Sequence, residues 1–251
     1  DHPRVERGRP LGDSHTPGLW RRARMHTLQA YPRCMDRQLF FLINHQWTAP
    51  WADSLMAVAS SIDLWLPFAL VAGLLLAVFG GFRGRAFLVC TTVVFLVNDA
   101  FLTQNLKALV ARPRPYEALV GVRMVDLQPV SPRFRAMGLP IEVRFSGVNL
   151  DAPRLRSYPS GHAANNFALA VLFCAFFPRW GRWYFLVALL VSYSRIYVGA
   201  HWPSDVLGSA LQGTGVALVL LALAEWLWRR AGARFLPSIH GRHQSLLPRI
   251  A

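Results

Sequence analysis

Hydrophobic positions along this chain fall into long runs separated by polar breaks, and these runs predict membrane-spanning helices. Residues 64–82 contain no charged side chain over 19 positions, and residues 206–224 contain none over another 19. A helix of about 20 apolar residues crosses the roughly 30 Å hydrocarbon core of a bilayer. The pattern predicts five spans, at residues 62–81, 86–107, 161–178, 182–199 and 204–228.

Residues 38–61 are apolar in two short stretches that Asn44 and Pro50, among others, interrupt. An interfacial amphipathic helix, with Trp47 and Trp51 at the level of the lipid headgroups, fits these interruptions better than a sixth span. Both interpretations stay open at this point. The expected fold class is therefore all-α, a polytopic transmembrane helix bundle of 5–6 spans.

Polar segments divide the rest of the chain. Residues 1–37 are rich in arginine and proline, which predicts a disordered tail. Residues 62–228 form the predicted membrane core, interrupted by a loop at 116–158 in which residues 141–145 alternate like a short strand. Residues 229–251 form a basic tail that we expect on the cytoplasmic side.

The charge pattern also indicates a membrane protein. The chain is 53% hydrophobic and has a formal net charge of +14, and its arginines gather at the ends of the apolar runs. No basic stripe interleaved with aromatic residues occurs in a polar segment, so we expect no binding of nucleic acid. Cytoplasmic flanks of membrane spans are enriched in basic residues. The arginines that we place on that side are Arg83, Arg85, Arg179, Arg182, Arg229 and Arg230.

Three clusters of polar residues begin or end apolar runs, and this orientation puts all three on the outer face. The first cluster contains Lys107, the only lysine in the sequence, and Arg114. Lysine offers a compact charge, whereas arginine offers a planar fork that fits two phosphate oxygens. Snorkelling of cations at the end of a span is the alternative, and it accounts for Arg112.

The second cluster, Pro159-Ser160-Gly161-His162, lies where the long loop meets a predicted span. Ser160 is a predicted N-cap, Gly161 allows close approach to the backbone, and free N–H groups at a helix start bind anions. His162 is then a candidate general acid. Ser160 also resembles a nucleophile beside a histidine, but no separate carboxylate supports that pairing, so we favour phosphate binding.

The third cluster joins Arg195, which closes one span, to His201 and Asp205. Pro203 is tolerated in the first turn of a helix, so a helix that starts near Trp202 brings Asp205 within reach of His201. A carboxylate on one ring nitrogen would fix the tautomer and leave the other nitrogen nucleophilic. The alternative is a helix-capping Asp205 and an interfacial His201.

Together the clusters read Lys-x6-Arg-Pro, Pro-Ser-Gly-His and Ser-Arg-x5-His-x3-Asp. In this respect the chain resembles the type 2 phosphatidate phosphatases, whose three-part signature it matches completely. That superfamily includes the lipid phosphate phosphatases, with a bacterial membrane branch, and more distantly the vanadium haloperoxidases. The resemblance covers residues 62–228 and gives no support for the two tails or the outer loop.

The resemblance implies a metal-independent, two-step hydrolysis of a phosphomonoester or pyrophosphate, without a cofactor. By analogy His201 attacks phosphorus to form a phosphohistidine, Asp205 orients His201, and His162 protonates the leaving oxygen and later helps to activate water. The three cysteines show no metal-ligand spacing. The groups that the resemblance assigns to the phosphate oxygens are Lys107, Arg114, Ser160, the Gly161 amide and Arg195.

The resemblance further implies a lipid phosphate substrate, a bilayer environment and a multi-pass location in a bacterial inner membrane, with the site facing outward. Undecaprenyl diphosphate is the favoured substrate, and phosphatidylglycerol phosphate, phosphatidate and lipid A are the alternatives. A lipid phosphotransferase with the same site, a vanadate haloperoxidase and a non-catalytic transporter are competing hypotheses. The oligomeric state is left open.

Asp99 lies within the second predicted span, where a carboxylate is costly and is a functional candidate by default. It precedes Lys107 by eight residues, about 12 Å along a helix, which is too far for direct pairing. We expect a structural hydrogen bond with a neighbouring helix, and a role near the site is the alternative.

Overall fold

The computed structural model describes residues 35–147 and 156–248, and this part of the chain is mostly helical. The predicted disordered tail, residues 1–37, lies outside the described residues except for its last three, which begin a helix. The helices are α1 Met35–Phe41, α2 Pro50–Ser60, α3 Ile62–Phe79, α4 Gly81–Val110, α5 Pro115–Ala118, α6 Gly161–Phe176, α7 Pro178–Gly181, α8 Tyr184–Tyr197, α9 Pro203–Phe235 and α10 Pro237–His240.

Among the described residues, α3, α4 and α9 are long and apolar enough to cross a membrane. They correspond to the first, second and fifth predicted spans, whereas α6 and α8 correspond to the third and fourth and contain 16 and 14 residues. Two helices extend beyond the predicted spans. Helix α4 already begins at Gly81, and α9 continues to Phe235, so the tail predicted at 229–251 starts inside a helix.

The turn between α3 and α4 is tighter than predicted. Gly81 has a φ of +59°, a backbone conformation that residues other than glycine rarely adopt. Helix α4 begins there, almost directly after the end of α3. Arg83 and Arg85, which the sequence placed in a connecting turn, therefore lie in the first turns of α4. The Nε of Arg85 donates to the carbonyl oxygen of Ala77 at 2.9 Å, and it satisfies one of the carbonyl groups left open at the end of α3.

Helix α6 packs against α9, α8 and α4. Its buried side chains are Ala163, Ala164, Ala168, Ala170, Val171, Leu172 and Phe176. At the crossing with α9, a Cβ atom on Gly213 would lie 1.9 Å from the carbonyl oxygen of Ala164. Small residues allow helix backbones in a membrane to approach this closely, so the crossing holds the start of α6 against the first half of α9.

Part of the predicted outer loop forms a small sheet, and here the fold departs from the all-α prediction. Strands β1 (Arg123–Asp126) and β2 (Glu142–Phe145) pair antiparallel over four residues, with the short 3-10 helix Arg133–Gly138 between them. The second strand coincides with the alternating stretch at residues 141–145. Alternation of apolar and polar side chains favours a strand even where the surrounding chain is helical.

Residues 38–61, predicted as an interfacial or weak membrane helix, consist of the end of α1, a π-helical turn at Leu42–Gln46, and α2. Helices α1 and α2 contain 7 and 11 residues, so neither has the length of a span. Asn44 ties this segment to the bundle, because its Nδ2 donates to the carbonyl oxygens of Arg123 and Tyr197 at 2.8 and 2.7 Å. The interfacial position of the segment stays a prediction.

Candidate active site

The three polar clusters lie at helix ends, as their positions in the sequence suggest. Lys107 is in the last turn of α4, which stops at Ala111 in a left-handed conformation with a φ of 47°. Ser160 occupies the N-cap position of α6, and Arg195 lies in the last turn of α8. His201 lies in the loop between α8 and α9. Each cluster therefore sits where a helix begins or ends.

Electrostatic interactions connect the clusters to one another. Arg195, Arg114 and Lys107 lie close enough to His162 for their charges to interact with its ring. Arg195 and Arg114 also interact electrostatically with His201, and so does His162. The structure thus brings the cations of the first and third clusters together with both histidines.

Several buried polar atoms without a hydrogen-bond partner lie in this site. Within the described part of the chain, the atoms of this kind that belong to the predicted site are Arg114 Nε, Ser160 Oγ, His162 Nε2, Arg195 Nε and His201 Nδ1. Buried polar groups in proteins are nearly always hydrogen-bonded. Five such atoms on residues of one site indicate a pocket for a small polar ligand, and the nearby cations favour an anion.

The two arginines of the site are held in place by other parts of the fold. One terminal nitrogen of Arg195 donates to the carbonyl oxygen of Ser60 at 3.2 Å and also to the Ser60 hydroxyl, at the end of α2. One terminal nitrogen of Arg114 donates to the hydroxyl of Tyr116 at 3.1 Å. A guanidinium has five N–H donors in a fixed fork, so each arginine keeps further donors for a ligand.

His201 is buried, with 3% of its surface exposed, and its backbone N–H donates to the carbonyl oxygen of Arg195 at 3.1 Å. Burial, followed by the charges of Arg195 and Arg114, lowers the pKa of the His201 imidazole well below its usual range. The neutral form of the ring therefore predominates at neutral pH. A neutral imidazole has the lone pair that a nucleophile needs.

The expected hydrogen bond from a ring N–H of His201 to Asp205 is not made in the structure. Oδ1 of Asp205 accepts from Arg112 at 2.6 Å, and its Oδ2 accepts from the Ser157 hydroxyl and, at 3.1 Å, from the backbone N–H of Trp202. The reason is local: Asp205 is the third residue of α9 and folds back onto the residue that precedes the helix, as in a capping box. The direct pairing was wrong, and the alternative of a capping carboxylate is closer to what is found.

Ser160 is at the predicted N-cap position, but its hydroxyl makes no cap hydrogen bond. That hydroxyl is buried and unpartnered, whereas the backbone N–H of Ser160 donates to the hydroxyl of Ser209 at 2.7 Å. Gly161 follows directly, and a Cβ atom there would lie 3.2 Å from Oδ1 of Asp99. A larger residue at this position would therefore require the Asp99 side chain to shift by a few tenths of an ångström.

Asp99 makes the hydrogen bond that the sequence predicts. Its Oδ2 accepts from Nδ2 of Asn165 on the neighbouring helix α6 at 2.6 Å. It lies in a π-helical stretch of α4, Leu96–Thr103, and such stretches occur frequently at functional sites. The same carboxylate lies beside Gly161, so Asp99 is also close to the predicted phosphate-binding turn.

The sequence pattern did not indicate the role of Arg112. Arg112 is bound to both Asp205 and Asp36, at 2.6 Å each, so its interpretation as a snorkelling interfacial cation was wrong. Asp36 was assigned to the tail and carried no signal of its own. A partner 76 residues away in the sequence leaves no local pattern from which the contact could be predicted.

A cavity of about 510 Å³ borders the site on the side of His162 and Arg195. The outer loop supplies charged groups to its wall, namely Asp126, Arg133 and Arg144. Within the described residues, no group of three or more His, Cys, Asp or Glu side chains has an arrangement that could hold a metal ion.

A sequence profile of the PAP2 superfamily matches residues 85–229, which is more than half of the chain. The chain therefore belongs to the PAP2 superfamily. As a member of this family it is a phosphatase, a hydrolase embedded in a membrane, and metal independence is consistent with the family. The matched region contains all three polar clusters.

Individual relatives agree with this assignment. The chain is 29% identical over 187 residues to an undecaprenyl-diphosphatase of Sulfolobus acidocaldarius, covering 72% of this chain and 75% of the relative. It is 28% identical over 182 residues to a lipid A 4'-phosphatase of Bacteroides thetaiotaomicron, covering 71% and 72%. A solved structure, the PAP2-type phosphatidylglycerolphosphate phosphatase of Bacillus subtilis, matches with a TM-score of 0.50 at 19% identity, over 84% of this chain and 97% of that one. The last likeness shows the fold alone.

Proposed function

We propose that this protein is a lipid phosphate phosphatase that works through a phosphohistidine on His201, with undecaprenyl diphosphate as the favoured substrate. The observation that carries the proposal is the set of buried, unpartnered polar atoms on residues of all three clusters. A tetrahedral phosphate offers acceptor oxygens to such donors, and the nearby cations compensate its charge.

In the first step a ring nitrogen of His201 forms a bond to phosphorus while the bond from phosphorus to the leaving oxygen breaks. His162 gives its proton to that oxygen, so the product leaves as a neutral hydroxyl or a protonated phosphate. In the second step a water molecule attacks phosphorus and passes a proton to His162. The nitrogen–phosphorus bond then breaks, and inorganic phosphate and neutral His201 are regenerated.

Fixed positive charge supplies most of the stabilisation in this mechanism. Phosphoryl transfer needs in-line positioning and compensation of the charge on the three equatorial oxygens. Lys107, Arg114 and Arg195 provide this compensation, and the Ser160 hydroxyl and Gly161 amide act as further donors. Asp205 orients the loop behind the nucleophile by accepting the backbone N–H of Trp202, the residue that follows His201.

Two observations bear on the substrate. The relative from Sulfolobus acidocaldarius is an undecaprenyl-diphosphatase, which favours a polyprenyl diphosphate. The cavity beside His162 lies on the side where the leaving group is protonated, and its volume of about 510 Å³ leaves room for a larger polar group such as a sugar. Together with the relative from Bacteroides thetaiotaomicron, this makes lipid A the second candidate.

We also propose that the site faces the outside of a bacterial inner membrane. The ring of Phe82, at the start of α4, lies 5.2 Å from the ring of Trp228, close to Arg229 and Arg230 in α9. Two arginine-bearing segments thus meet at one end of the bundle. The positive-inside rule assigns such an end to the cytoplasm, which leaves the phosphate site at the other face.

Phosphate release from purified protein in detergent, with EDTA present, tests this proposal. The substrates are undecaprenyl diphosphate, lipid A, phosphatidylglycerol phosphate and phosphatidate, and the proteins are the wild type, His201→Ala and the matched control His45→Ala at an exposed position. We expect release by the wild type and the control and none by His201→Ala. Full activity of His201→Ala would overturn the nucleophile, and phosphate recovered on a second lipid would indicate a phosphotransferase.

A further inference from the structure

A bridge of three charged groups lies behind the catalytic loop, and two of its members are outside the signature. One terminal nitrogen of Arg112 donates to Oδ1 of Asp205 and the other to Oδ2 of Asp36, both at 2.6 Å. The guanidinium also lies over the Trp202 ring, 5.1 Å from its centroid. One arginine therefore joins two carboxylates and an aromatic ring.

The bridge is largely removed from water. The side chain of Asp205 is fully buried, that of Asp36 is 13% exposed and that of Arg112 is 32% exposed. Burial opposes the charge of Arg112, but hydrogen bonds and ion pairs with Asp36 and Asp205 outweigh it and raise its pKa. Removing one partner of such a group leaves the other charge buried without compensation, which costs far more than the loss of a surface ion pair.

The same bridge connects three parts of the chain. Asp36 lies in α1, outside the region that matches the family, and its Oδ1 accepts the backbone N–H of Ser204 at 2.8 Å in the first turn of α9. Arg112 lies between the cations Lys107 and Arg114 of the first cluster. The bridge thus fixes the first cluster, the start of α9 and the N-terminal helix relative to one another.

Trp202 transmits this restraint to the nucleophile, because it follows His201 directly. Its backbone N–H donates to Oδ2 of Asp205 at 3.1 Å, its Nε1 donates to the carbonyl oxygen of Pro113 at 2.9 Å, and its ring faces Arg112. These three contacts all involve Arg112, its neighbour or its partner, and the Trp202 ring also packs against Phe40, with 5.4 Å between the ring centroids.

We propose that Arg112 and Asp36 are positioning residues of the phosphatase site, which hold Trp202 and thereby His201 in line with the phosphate. This inference rests on the function proposed above. Neither residue is among those assigned to the phosphate, so we expect their loss to slow formation of the phosphohistidine and to leave the binding of substrate unchanged. Asp36 acts on the same loop through Arg112 and through the backbone N–H of Ser204, so removing both residues slows the same step and leaves KM unchanged.

The test compares Arg112→Gln, Arg112→Lys, Asp36→Asn and the double variant Asp36→Asn/Arg112→Gln with the wild type. We measure kcat, KM and the single-turnover rate of phosphohistidine formation. We expect kcat and that rate to fall together by about 10- to 100-fold in Arg112→Gln, with KM unchanged, because displacing a reacting group by about 1 Å costs on the order of 100-fold. Arg112→Lys should be intermediate, since a lysine cannot span two carboxylates with a fork.

The exposed Arg135 gives a matched control, Arg135→Gln, which should keep the kcat of the wild type. A kcat for Arg112→Gln that equals that of an active wild type overturns the inference and leaves the proposed function standing. A double variant with a raised KM and an unchanged kcat also overturns it. If Arg112→Gln fails to fold, the variant Asp36→Asn provides the test. We then expect a lower kcat at an unchanged KM, and an unchanged kcat would refute the inference. An inactive wild type overturns the inference together with the function.

Discussion

The substitution Gly213→Ala tests whether the crossing of α6 and α9 holds the catalytic groups in place. Gly213 meets the backbone of Ala164, and a Cβ atom there would lie 1.9 Å from the carbonyl oxygen and 2.8 Å from the Cα of that residue. Ordinary contacts of a Cβ atom begin at 3.4 Å. The obstacle is backbone within a helix, so the two helices have to move apart by more than about 1 Å to accept the methyl group.

The size of the effect follows from two opposing terms. Overfilling a packed interface typically costs about 1–3 kcal/mol, whereas alanine is favoured over glycine by up to about 1 kcal/mol within a helix. A net loss of about 1–2 kcal/mol corresponds to a fall in Tm of several degrees. His162 lies in the first turn of α6 and Asp205 in that of α9, so we expect kcat to fall by about tenfold or more, since a displacement of about 1 Å is costly.

Gly215 supplies the matched control, because it lies in the same helix and a Cβ atom there meets nothing within 4 Å. Thermal unfolding followed by tryptophan fluorescence, and phosphate release at saturating substrate, are measured for Gly213→Ala and Gly215→Ala. The control should keep its activity, with a Tm equal to or above that of the wild type. If the two variants behave alike, the close crossing does not position the site.

Three further predictions follow from named contacts. Lys107→Arg should lower kcat although it preserves the charge, because a planar fork replaces a point charge; a wild-type kcat would contradict this. The low pKa of His201 keeps its ring neutral as the pH falls, so the acid limb of a kcat/KM profile should show no loss centred near the ordinary value of about 6.5; a loss of activity centred there as the pH falls would refute it. Asn44→Ala removes buried bonds to Arg123 and Tyr197 and should destabilise the fold by about 1–3 kcal/mol, seen as a lower Tm with an otherwise intact site; an unchanged Tm would show that these bonds do not anchor the segment.

Features that depend on neighbouring residues could be predicted from the sequence. Runs of apolar residues locate all five predicted helices, and the turn chemistry around Pro203 places the start of α9 correctly. The signature residues fall at helix ends because a polar cluster at the border of an apolar run has no other place in a membrane helix. The hydrogen bond of Asp99 could be predicted for a similar reason, since a carboxylate within a span needs a partner.

Features that depend on distant partners could not be predicted. His201 and Asp205 have a spacing that allows direct pairing, but Arg112 and Ser157 compete for the same carboxylate and take it. Asp36 bonds to Arg112 across 76 positions of sequence, and no periodicity relates the two. Local spacing sets which contacts are possible, and the packing of distant segments decides which of them form.

Direct detection of the phosphorylated enzyme tests the central claim. The wild type is mixed with labelled lipid phosphate in EDTA, stopped within a single turnover, digested and analysed by mass spectrometry for the labelled residue. We predict phosphate on His201 and on no other residue, formed before free phosphate appears and absent from His201→Ala. Rapid release of phosphate by the wild type without a labelled histidine, or with the label on Ser160, would contradict the assignment of His201 as the nucleophile.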